Sequence, residues 1–326
     1  MKKRVTMRDI AKALNISPMT VSKALRDSPD ISERMRKNIL AKAKELGYVY
    51  HDRPAYNIVV FMPEIFINKH DGFYGNLFAK LNREAKLNNI SLSLIVLEER
   101  DEKQHDFNVD LTNYHGVIFL GEIKKSFIDA VLKITKKIIT VDFQYSNLKS
   151  DSVVSNNFMG SYYATSYLIK KGHKKINFVG NYRSTASIRD RFLGFQRALL
   201  EHNLEFNNSL IINDRTDAGV LIDLELPKEL PTAFVCNNDY VAGLIINELK
   251  KRKIKVPEQV SVVGFDNTIY SDLCDPKITT VRVPRSTMAE IAIRLLLRRL
   301  TRANSTLKNL HVECYLVEKE SVNSVK

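Results

Sequence analysis

Residues 6–47 constrain the fold of this chain most, because TMRDIAKALNISPMTVSKALRDSPDISERMRKNILAKAKELG contains several helix start signals. Thr6 can cap a first helix, with Asp9 three residues further on as in a capping box. Ser17 followed by Pro18 marks a second start, because a hydroxyl caps free N–H groups and proline fits the first helical position. These signals predict two short helices separated by a tight turn.

A third helix is predicted from Ser32, which can cap it, to Gly47, which can end it. The apolar side chains of this third helix are Met35, Ile39, Leu40, Ala43 and Leu46. In the second helix, Val21, Ala24 and Leu25 have the spacing of a face that points inward. Two helices joined by a tight turn and braced by a third are typical of a helix-turn-helix unit, whose second helix enters the DNA major groove.

The distribution of charge favours DNA binding over the alternative, which is a small helical cap with a solvated basic face. Residues 1–57 contain 13 Lys/Arg and 6 Asp/Glu, so they supply +7 of the net charge of +13. This concentration of positive charge in a small part of the chain is what binding to phosphates requires. The side chains left on the outer side of the second helix are Met19, Thr20, Ser22, Lys23 and Arg26.

Length and composition limit the other possibilities. The chain has 326 residues, of which 44% are hydrophobic, enough for a headpiece plus either one large core or two lobes. It has no apolar run long enough for a membrane span, and no apolar segment follows the basic start MKKRVTMRDI as in a signal peptide. Cys236, Cys274 and Cys314 lack C-x-x-C spacing, which favours reduced packing residues over the alternative of a metal site. We expect a cytoplasmic protein without a cofactor.

From residue 58 onward, apolar strand patterns alternate with helical patterns, which is typical of parallel sheets covered by helices on both faces. The predicted strands are 58–62, 91–96, 116–120, 138–143, 175–179, 233–236 and 260–265. The predicted helices are 74–88, 127–134, 159–171, 188–202, 239–252 and 288–300. The predicted fold is therefore an N-terminal all-α headpiece followed by α/β structure with parallel sheets.

Polar side chains follow several predicted strands at their carboxyl ends, where ligands bind in such sheets. Asp142, Asn238 and Asp266 each follow a strand, and Arg191 lies near the start of a helix after another strand. Carboxylate, amide and guanidinium groups that converge on one cleft can bind hydroxyls in pairs, as a sugar ring requires. The alternative is that each residue caps the following helix, and for Asp239 that structural role is as good an interpretation as ligand contact.

Several motifs resemble the LacI/GalR family of bacterial transcriptional regulators. The headpiece contains the V-T-x-x-D-I-A start, the S-x-x-T-V-S segment and the final L-G-Y of that family. Further matches are GHKKI at 172–176, R-x-x-G-F at 191–195, VCNNDYVAG at 235–243, SVVGFDNT at 261–268 and ITTVRVP at 278–284. The resemblance implies two periplasmic-binding-protein-like lobes with a small-molecule pocket between them. It also implies that Phe73, at the pocket edge, is a stacking surface.

The family resemblance implies a sequence-specific transcriptional regulator, a repressor that binds a pseudo-palindromic double-stranded DNA operator as a homodimer. Pro18, Met19 and Lys23 align with base-reading positions, and Ser22 and Arg26 are expected to contact phosphates. The full set of expected DNA contacts is Thr6, Ser17, Pro18, Met19, Thr20, Ser22, Lys23, Arg26, Ser32 and Tyr48. The expected effector, bound between the lobes, is a neutral sugar or its phosphate, with a purine-like ligand as the alternative.

The expected domain boundaries follow from the same motifs. They are 1–48 for the headpiece, 49–57 for a linker, 58–155 with 284–307 for the first lobe, and 156–283 with 308–326 for the second. Val283 stands where relatives often have Gln, Asn156 and Asn157 replace a common Asp-Asn pair, and IFINKHDGFY is longer than the usual loop. The linker is shorter than in relatives and contains Pro54 but no leucine. We therefore expect no linker helix that wedges into the DNA minor groove.

Two other functional classes account for less of the sequence. A freestanding solute-binding protein would share the two lobes but would need an export signal and would have no use for a basic headpiece. An enzyme would need a nucleophile with its base or a phosphate-binding loop, and the motifs GxGxxG, GxxxxGK[ST], GxSxG and HExxH are absent from the sequence. We therefore predict no catalytic residues and no metal ligands.

Overall fold

The structure is a computed structural model that describes residues 5–25, 28, 30–48, 56–67, 72–302 and 304–325. The chain forms two compact units, Met1–Pro54 and Ala55–Lys326. The helices within the described residues are α1 (Met7–Leu14), α2 (Pro18–Leu25), α3 (Glu33–Glu45), α4 (Glu64–Ile67), α5 (Phe73–Leu87), α6 (Glu99–Gln104), α7 (Lys125–Ile134), α8 (Asn157–Lys170), α9 (Ala186–Glu201), α10 (Asp239–Lys251), α11 (Tyr270–Leu273) and α12 (Arg285–Thr301). The strands are β1 (Tyr56–Pro63), β2 (Ile90–Leu97), β3 (Gly116–Leu120), β4 (Ile138–Val141), β5 (Asp151–Ser155), β6 (Ile176–Val179), β7 (Ile211–Ile212), β8 (Ala233–Cys236), β9 (Ser261–Asp266), β10 (Thr279–Arg282), β11 (Asn309–Val312) and β12 (Tyr315–Val317).

The three predicted helix starts of the N-terminal unit are confirmed by their hydrogen bonds. The backbone N–H and the hydroxyl of Thr6 both donate to Asp9 Oδ2 at 2.7 Å. The backbone N–H of Thr20 donates to Ser17 Oγ at 3.0 Å, so that Ser17 caps α2. The hydroxyl of Ser32 likewise accepts a bond from the first turn of α3. The bonds from backbone N–H groups satisfy donors that have no partner inside their own helix.

The core of the N-terminal unit contains residues from all three helices. Its buried residues are Ile10, Ala11, Val21, Ala24, Ile39 and Ala43. Of the other apolar residues of α3, Met35 and Leu40 are 40% and 44% exposed. Leu40 is turned by roughly 100° from Ile39 around the helix, and Met35 lies in the first turn of α3. A unit of three short helices covers only one narrow stripe of α3.

The second unit contains two six-stranded sheets, and this confirms the predicted fold class. The first sheet has the order β11-β5-β4-β3-β1-β2 and is parallel throughout. The second has the order β12-β10-β9-β8-β6-β7 and is parallel except for β12, which pairs antiparallel with β10. Because the strands of β3 and β8 are fully buried, they are continuous apolar runs rather than alternating ones.

Within the described residues, the chain crosses between the two sheets three times. The first two crossings lie between β5 and α8 and between β10 and α12, near residues 155 and 283 as predicted. The helix α12 packs on α5 and on the first sheet, again as predicted. The third crossing lies between Val312 and Tyr315 instead of near residue 308, because β11 pairs with β5 in the first sheet. The segment 309–312 therefore belongs to the first lobe.

The cysteines are free thiols, and the described part of the chain has no helix that is long and apolar enough to cross a lipid bilayer. Cys236 and Cys314 are buried, and Cys274 is half-buried. Burial raises the pKa of all three thiols above its usual value. It therefore disfavours the thiolate form that reactive or metal-binding cysteines need.

Candidate functional site

The outer face of α2 is the first candidate site. The side chains of Pro18, Met19, Thr20, Ser22 and Lys23 are exposed or half-exposed. These side chains lie outside the face of the helix that Val21 and Ala24 bury in the headpiece core. The Lys23 ammonium lies 3.0 Å from the Asp30 carboxylate, and these side chains are 42% and 64% exposed. Such an exposed ion pair contributes little, so Lys23 can leave it for a stronger acceptor.

The other predicted DNA contacts occupy several places on the headpiece. Thr6, Ser17 and Ser32 are exposed at the starts of α1, α2 and α3, where hydroxyl and backbone N–H groups can bind phosphate. Tyr48 is half-buried against the headpiece core, and its N–H donates to the Ala43 carbonyl at 2.8 Å. Arg26 and the linker residues 49–55 lie outside the described residues. The DNA contacts of all these residues stay predictions.

The second candidate site, here called the inner pocket, lies where carboxyl ends of strands from the two sheets meet. It is lined by Phe66, Phe73, Tyr74, Asp142, Thr185, Ser187, Ile188, Arg191, Arg215, Asn237, Asn238 and Asp266. All five predicted effector residues are among them, although their contact with a ligand stays a prediction. The cavity volume is about 30 Å³, which is room for about two water molecules. A sugar ring could enter only after the surrounding side chains or lobes move apart.

Arg191 is the most extensively bonded residue of the inner pocket. Its Nε donates to Asn157 Oδ1 at 2.8 Å, and its Nη2 donates to Asp266 Oδ1 at 3.0 Å. Its Nη1 donates to the Asn237 carbonyl, and the guanidinium stacks on the Phe265 ring, 3.8 Å from the centroid. The guanidinium has five N–H groups. These three bonds to described residues therefore leave two N–H groups that can reach a bound hydroxyl.

Asp142 is buried and shares its carboxylate between two hydroxyls. Tyr74 donates to its Oδ2 at 2.8 Å, and Ser155 donates to its Oδ1 at 3.4 Å. Burial raises the pKa of Asp142 from 3.8 to about 7, while the Tyr74 hydrogen bond and the charge of Arg191 oppose the rise. Asp142 and Asp266 both have left-handed backbone angles, with φ of 70° and 96°. Such strained conformations are common at ligand sites.

Asn238 and Asp239 have separate roles, although they are neighbours in the chain. Asn238 lines the inner pocket and also caps α10, because its Oδ1 accepts the Val241 N–H at 2.8 Å. Asp239 is fully buried and accepts the Thr268 N–H at 2.6 Å and a bond from the Thr280 hydroxyl. Asp239 is not part of the pocket lining, so its structural interpretation accounts for its contacts.

Sequence analysis missed a second arginine of the inner pocket. Arg215 is 3% exposed, and its guanidinium lies 2.6 Å from the Asp214 carboxylate. Its Nη2 also donates to Asn237 Oδ1 at 3.2 Å, and Asn237 donates to Asp214 Oδ2 at 2.8 Å. The preceding strand, β7, has only two residues. A strand this short leaves no apolar pattern that would have placed Arg215 at a strand end.

We expect Asp142→Asn to change how stability depends on pH. With a pKa of about 7 against 3.8 in the unfolded chain, folded Asp142 binds more protons than unfolded Asp142 between these values. The free energy of unfolding should therefore fall as the pH rises through this window, by an amount on the order of a few kcal/mol. Asp142→Asn should lose this dependence and gain in stability relative to the wild type between pH 5 and pH 8. Urea denaturation at both pH values measures the effect.

Tyr74→Phe is the control for this prediction. It removes the hydrogen bond to Asp142 but keeps the carboxyl group. Because that hydrogen bond lowers the pKa of Asp142, the variant should keep the pH dependence or strengthen it. Equal stability differences between Asp142→Asn and the wild type at both pH values would contradict the raised pKa.

Two family models match this chain, one in each of its two compact units. Residues 6–50 match the family model "Bacterial regulatory proteins, lacI family", and residues 165–322 match the model "Periplasmic binding protein-like domain". The transcriptional regulator RegA of Clostridium saccharobutylicum is 28% identical over 97% of this chain and 98% of its own length. The ribose operon repressor of Haemophilus influenzae is 25% identical over 98% of this chain and 99% of its own length.

Structure comparison gives the same fold. The crystal structure of the lac repressor dimer bound to operator and the anti-inducer ONPF matches with a TM-score of 0.69 and 18% identity, covering 99% of this chain and 100% of that one. The two family models match the chain in the order of its headpiece and its two-sheet unit. The chain therefore has a DNA-binding domain of the lacI family of bacterial regulatory proteins, at residues 6–50, followed by a periplasmic binding protein-like domain, at residues 165–322.

Proposed function

We propose that this protein is a transcriptional repressor that binds a pseudo-palindromic DNA operator as a homodimer. The observation that carries the proposal is the exposed outer face of α2 on a headpiece whose sequence is strongly basic. A helix in the major groove reads base edges with such side chains, while the positive charge supplies affinity for phosphates. The relatives named as regulators and repressors support the same function.

The proposed effector is a small polyhydroxylated molecule, a sugar or sugar derivative, bound in the inner pocket between the lobes. The carboxylates of Asp142 and Asp266 accept hydrogen bonds from hydroxyls, Arg191 donates to them, and Phe73 provides an aromatic wall. A ligand that binds more tightly to one relative arrangement of the two lobes than to another favours that arrangement. The change in the lobes moves the headpieces and so changes the affinity for the operator. By linkage, operator DNA must change the affinity for the ligand by the same factor.

A freestanding solute-binding protein is the competing function. It would account for the two sheets and the inner pocket but not for the LacI-type headpiece. Retention on a DNA-affinity column, followed by elution as the salt concentration rises, distinguishes the two functions. A solute-binding protein would pass through such a column at low salt.

Lys23→Ala tests the DNA-reading role. If Lys23 donates to a guanine, as its place on the exposed face of α2 allows, the variant should lose about 1–3 kcal/mol of affinity for the best operator. It should also tolerate more bases at one position of each half-site. A binding-site selection experiment on wild type and variant gives both the affinity and the base preferences.

Lys37→Ala is the matched control, because it removes the same charge from an exposed position of α3. It should lower the affinity for all DNA sequences by a similar small factor, if it lowers the affinity at all, and it should leave the base preferences unchanged. A Lys23→Ala variant that behaves like Lys37→Ala would show that Lys23 does not read a base.

A further inference from the structure

A larger cavity lies next to the inner pocket and shares Phe66 and Thr185 with it. This outer cavity has a volume of about 580 Å³, within the range of sites for small-molecule ligands. Its walls come from segments that follow β1, β2, β3 and β4 in the first sheet and β6 and β7 in the second. A ligand that begins in the inner pocket can therefore extend outward between the same two lobes.

Acidic side chains predominate over basic ones in the outer cavity. The charged residues among its described lining are Glu64, Glu99, Glu102, Glu122 and Lys124. The Lys124 ammonium lies 3.5 Å from Glu99 Oε1, and Glu99 also pairs with Lys103 at 2.8 Å. With Lys103 counted beside Lys124, four carboxylates stand against two ammonium groups. This excess of negative charge opposes the entry of an anion such as a sugar phosphate and attracts a cation.

Two of these carboxylates lie in positions that favour a ligand cation most. Glu102 is 7% exposed, and burial raises its pKa, although its carboxylate accepts the Lys124 N–H at 2.8 Å. Glu122 follows β3 in the first lobe, and its Oε2 accepts the N–H of Ala186 in the second lobe at 2.7 Å. A cation between the lobes would therefore offset the cost of burying Glu102 and lie near a carboxylate that joins the lobes.

The rest of the cavity wall suits the less polar face of a ring. Leu97, Ile123 and Val220 line it, together with the ring of Tyr145, whose hydroxyl already donates to the Ile123 carbonyl at 2.9 Å. The hydroxyl oxygen of Ser184 is also in this lining, is buried, and has no hydrogen-bond partner among the described residues. A buried polar group without a partner is costly, and a ligand hydroxyl or amine can supply the missing bond.

We propose that the outer cavity binds the protonated amine of an effector about the size of an aminated disaccharide, while hydroxyls of the same molecule reach the inner pocket. This inference rests on the proposed function, because it assigns the cleft to the effector. It selects an amine-bearing ligand over the sugar phosphate alternative, whose negative charge the carboxylates of the outer cavity oppose. The amine lies among Glu102, Glu122 and Ser184, and the ring packs against the apolar wall.

The experiment compares two disaccharides of the same linkage by titration calorimetry on the full chain. The β-1,4-linked glucosamine disaccharide carries amines where cellobiose carries hydroxyls, and the buffer is acid enough to protonate those amines. We expect the amine disaccharide to bind at least about ten times more tightly than cellobiose. Glucose 6-phosphate should bind more weakly than either. Equal binding of the two disaccharides, no binding of the amine disaccharide, or tighter binding of the phosphate would overturn the proposal.

Glu122→Gln and Glu102→Gln test the location of the amine. Both keep an oxygen that can accept the existing backbone hydrogen bonds but remove the negative charge. Each should reduce the ratio of the two affinities several-fold, whereas Glu258→Gln, at an exposed position outside the cavity, should leave it unchanged. An unchanged ratio in both cavity variants would place the amine elsewhere and overturn the proposal.

Operator binding, measured on the same preparations, separates this inference from the proposed function. Selective binding of the amine disaccharide by a chain that fails to bind DNA would overturn the repressor function and leave the amine site standing. Sequence-specific DNA binding without selectivity for the amine disaccharide would overturn the amine site alone.

Discussion

Replacing Arg191 by Met is expected to lower the free energy of unfolding by about 3–5 kcal/mol and to abolish the response to effector. Arg191 is 5% exposed and Asp266 is 4% exposed, and their charged atoms lie 3.0 Å apart. Without the guanidinium, the carboxylate of Asp266 loses its ion-pair partner and stays buried near Asp142. Methionine keeps much of the side-chain volume, so the loss reports mainly on charge and hydrogen bonds. Urea denaturation measures the stability.

The double variant Arg191→Met with Asp266→Asn separates stability from ligand binding. Asparagine removes the unpaired charge, so the double variant should be more stable than Arg191→Met alone, and a double-mutant cycle gives the coupling energy. The effector response should stay lost, because neither the guanidinium nor the carboxylate is present. A double variant that responds normally to a sugar active on the wild type would show that this ion pair is structural and does not bind the ligand.

Gly194→Ala is the second substitution with a large expected effect. An added Cβ would overlap the carbonyl oxygen of Phe158 and lie 3.0 Å from the backbone nitrogen of Tyr162. Both of these groups are backbone of α8, so α9 would have to move away from α8 to relieve the overlap. We expect a loss of about 3 kcal/mol or more, at the upper end for overpacking. Thermal and urea denaturation check the prediction.

The same substitution also tests the inner pocket, because α8 and α9 supply bonded partners to it. Arg191 lies on α9 one turn before Gly194 and donates to Asn157 at the start of α8. A shift of α9 should lengthen this hydrogen bond and weaken ligand binding. The glycine in the R-x-x-G-F motif therefore has a physical reason, which is the close approach of two helix backbones.

Gly75→Ala is the matched control, since Gly75 is also inside a helix but an added Cβ there would have no atom within 4 Å. This variant should be unchanged or more stable by up to about 1 kcal/mol, because alanine favours helix over glycine. If both alanine variants had the same stability, crowding at Gly194 would not be the cause.

Local sequence signals were sufficient to predict the helices of the headpiece and many strands of the two sheets. The caps at Thr6, Ser17 and Ser32 depend on residues within three or four positions of one another, so the sequence contains them completely. Strands such as β3 and β8 are continuous apolar runs because helices or other strands cover both faces. The predicted meeting of Asn238 and Asp266 followed from the rule that the parallel strands of one sheet end at one edge. Asp142 follows β4 in the other sheet and joins them only because the ends of the two sheets meet at the inner pocket.

The strands β5 and β11 could not be predicted from their own residues. Asp151 opens β5 and is fully buried, a position that local patterns assign to an apolar side chain. It is stable there because Arg299 donates to its Oδ2 at 2.7 and 2.9 Å, and the Lys308 N–H donates to its Oδ1 at 2.8 Å. Both partners lie about half the chain length away. For the same reason, the third crossing between lobes was expected too early.

What the sequence determined by itself is the set of local elements: helix starts, buried strands, and the polar residues that follow them. The tertiary structure alone decided which polar residues form ion pairs and hydrogen bonds with one another. Arg191 meets Asp266 across 75 positions, Arg215 meets Asn237 across 22, and Glu122 meets the N-terminus of α9 across 64. Caps and apolar faces depend on neighbours in the chain, whereas buried charges are stable only beside partners that the fold brings to them.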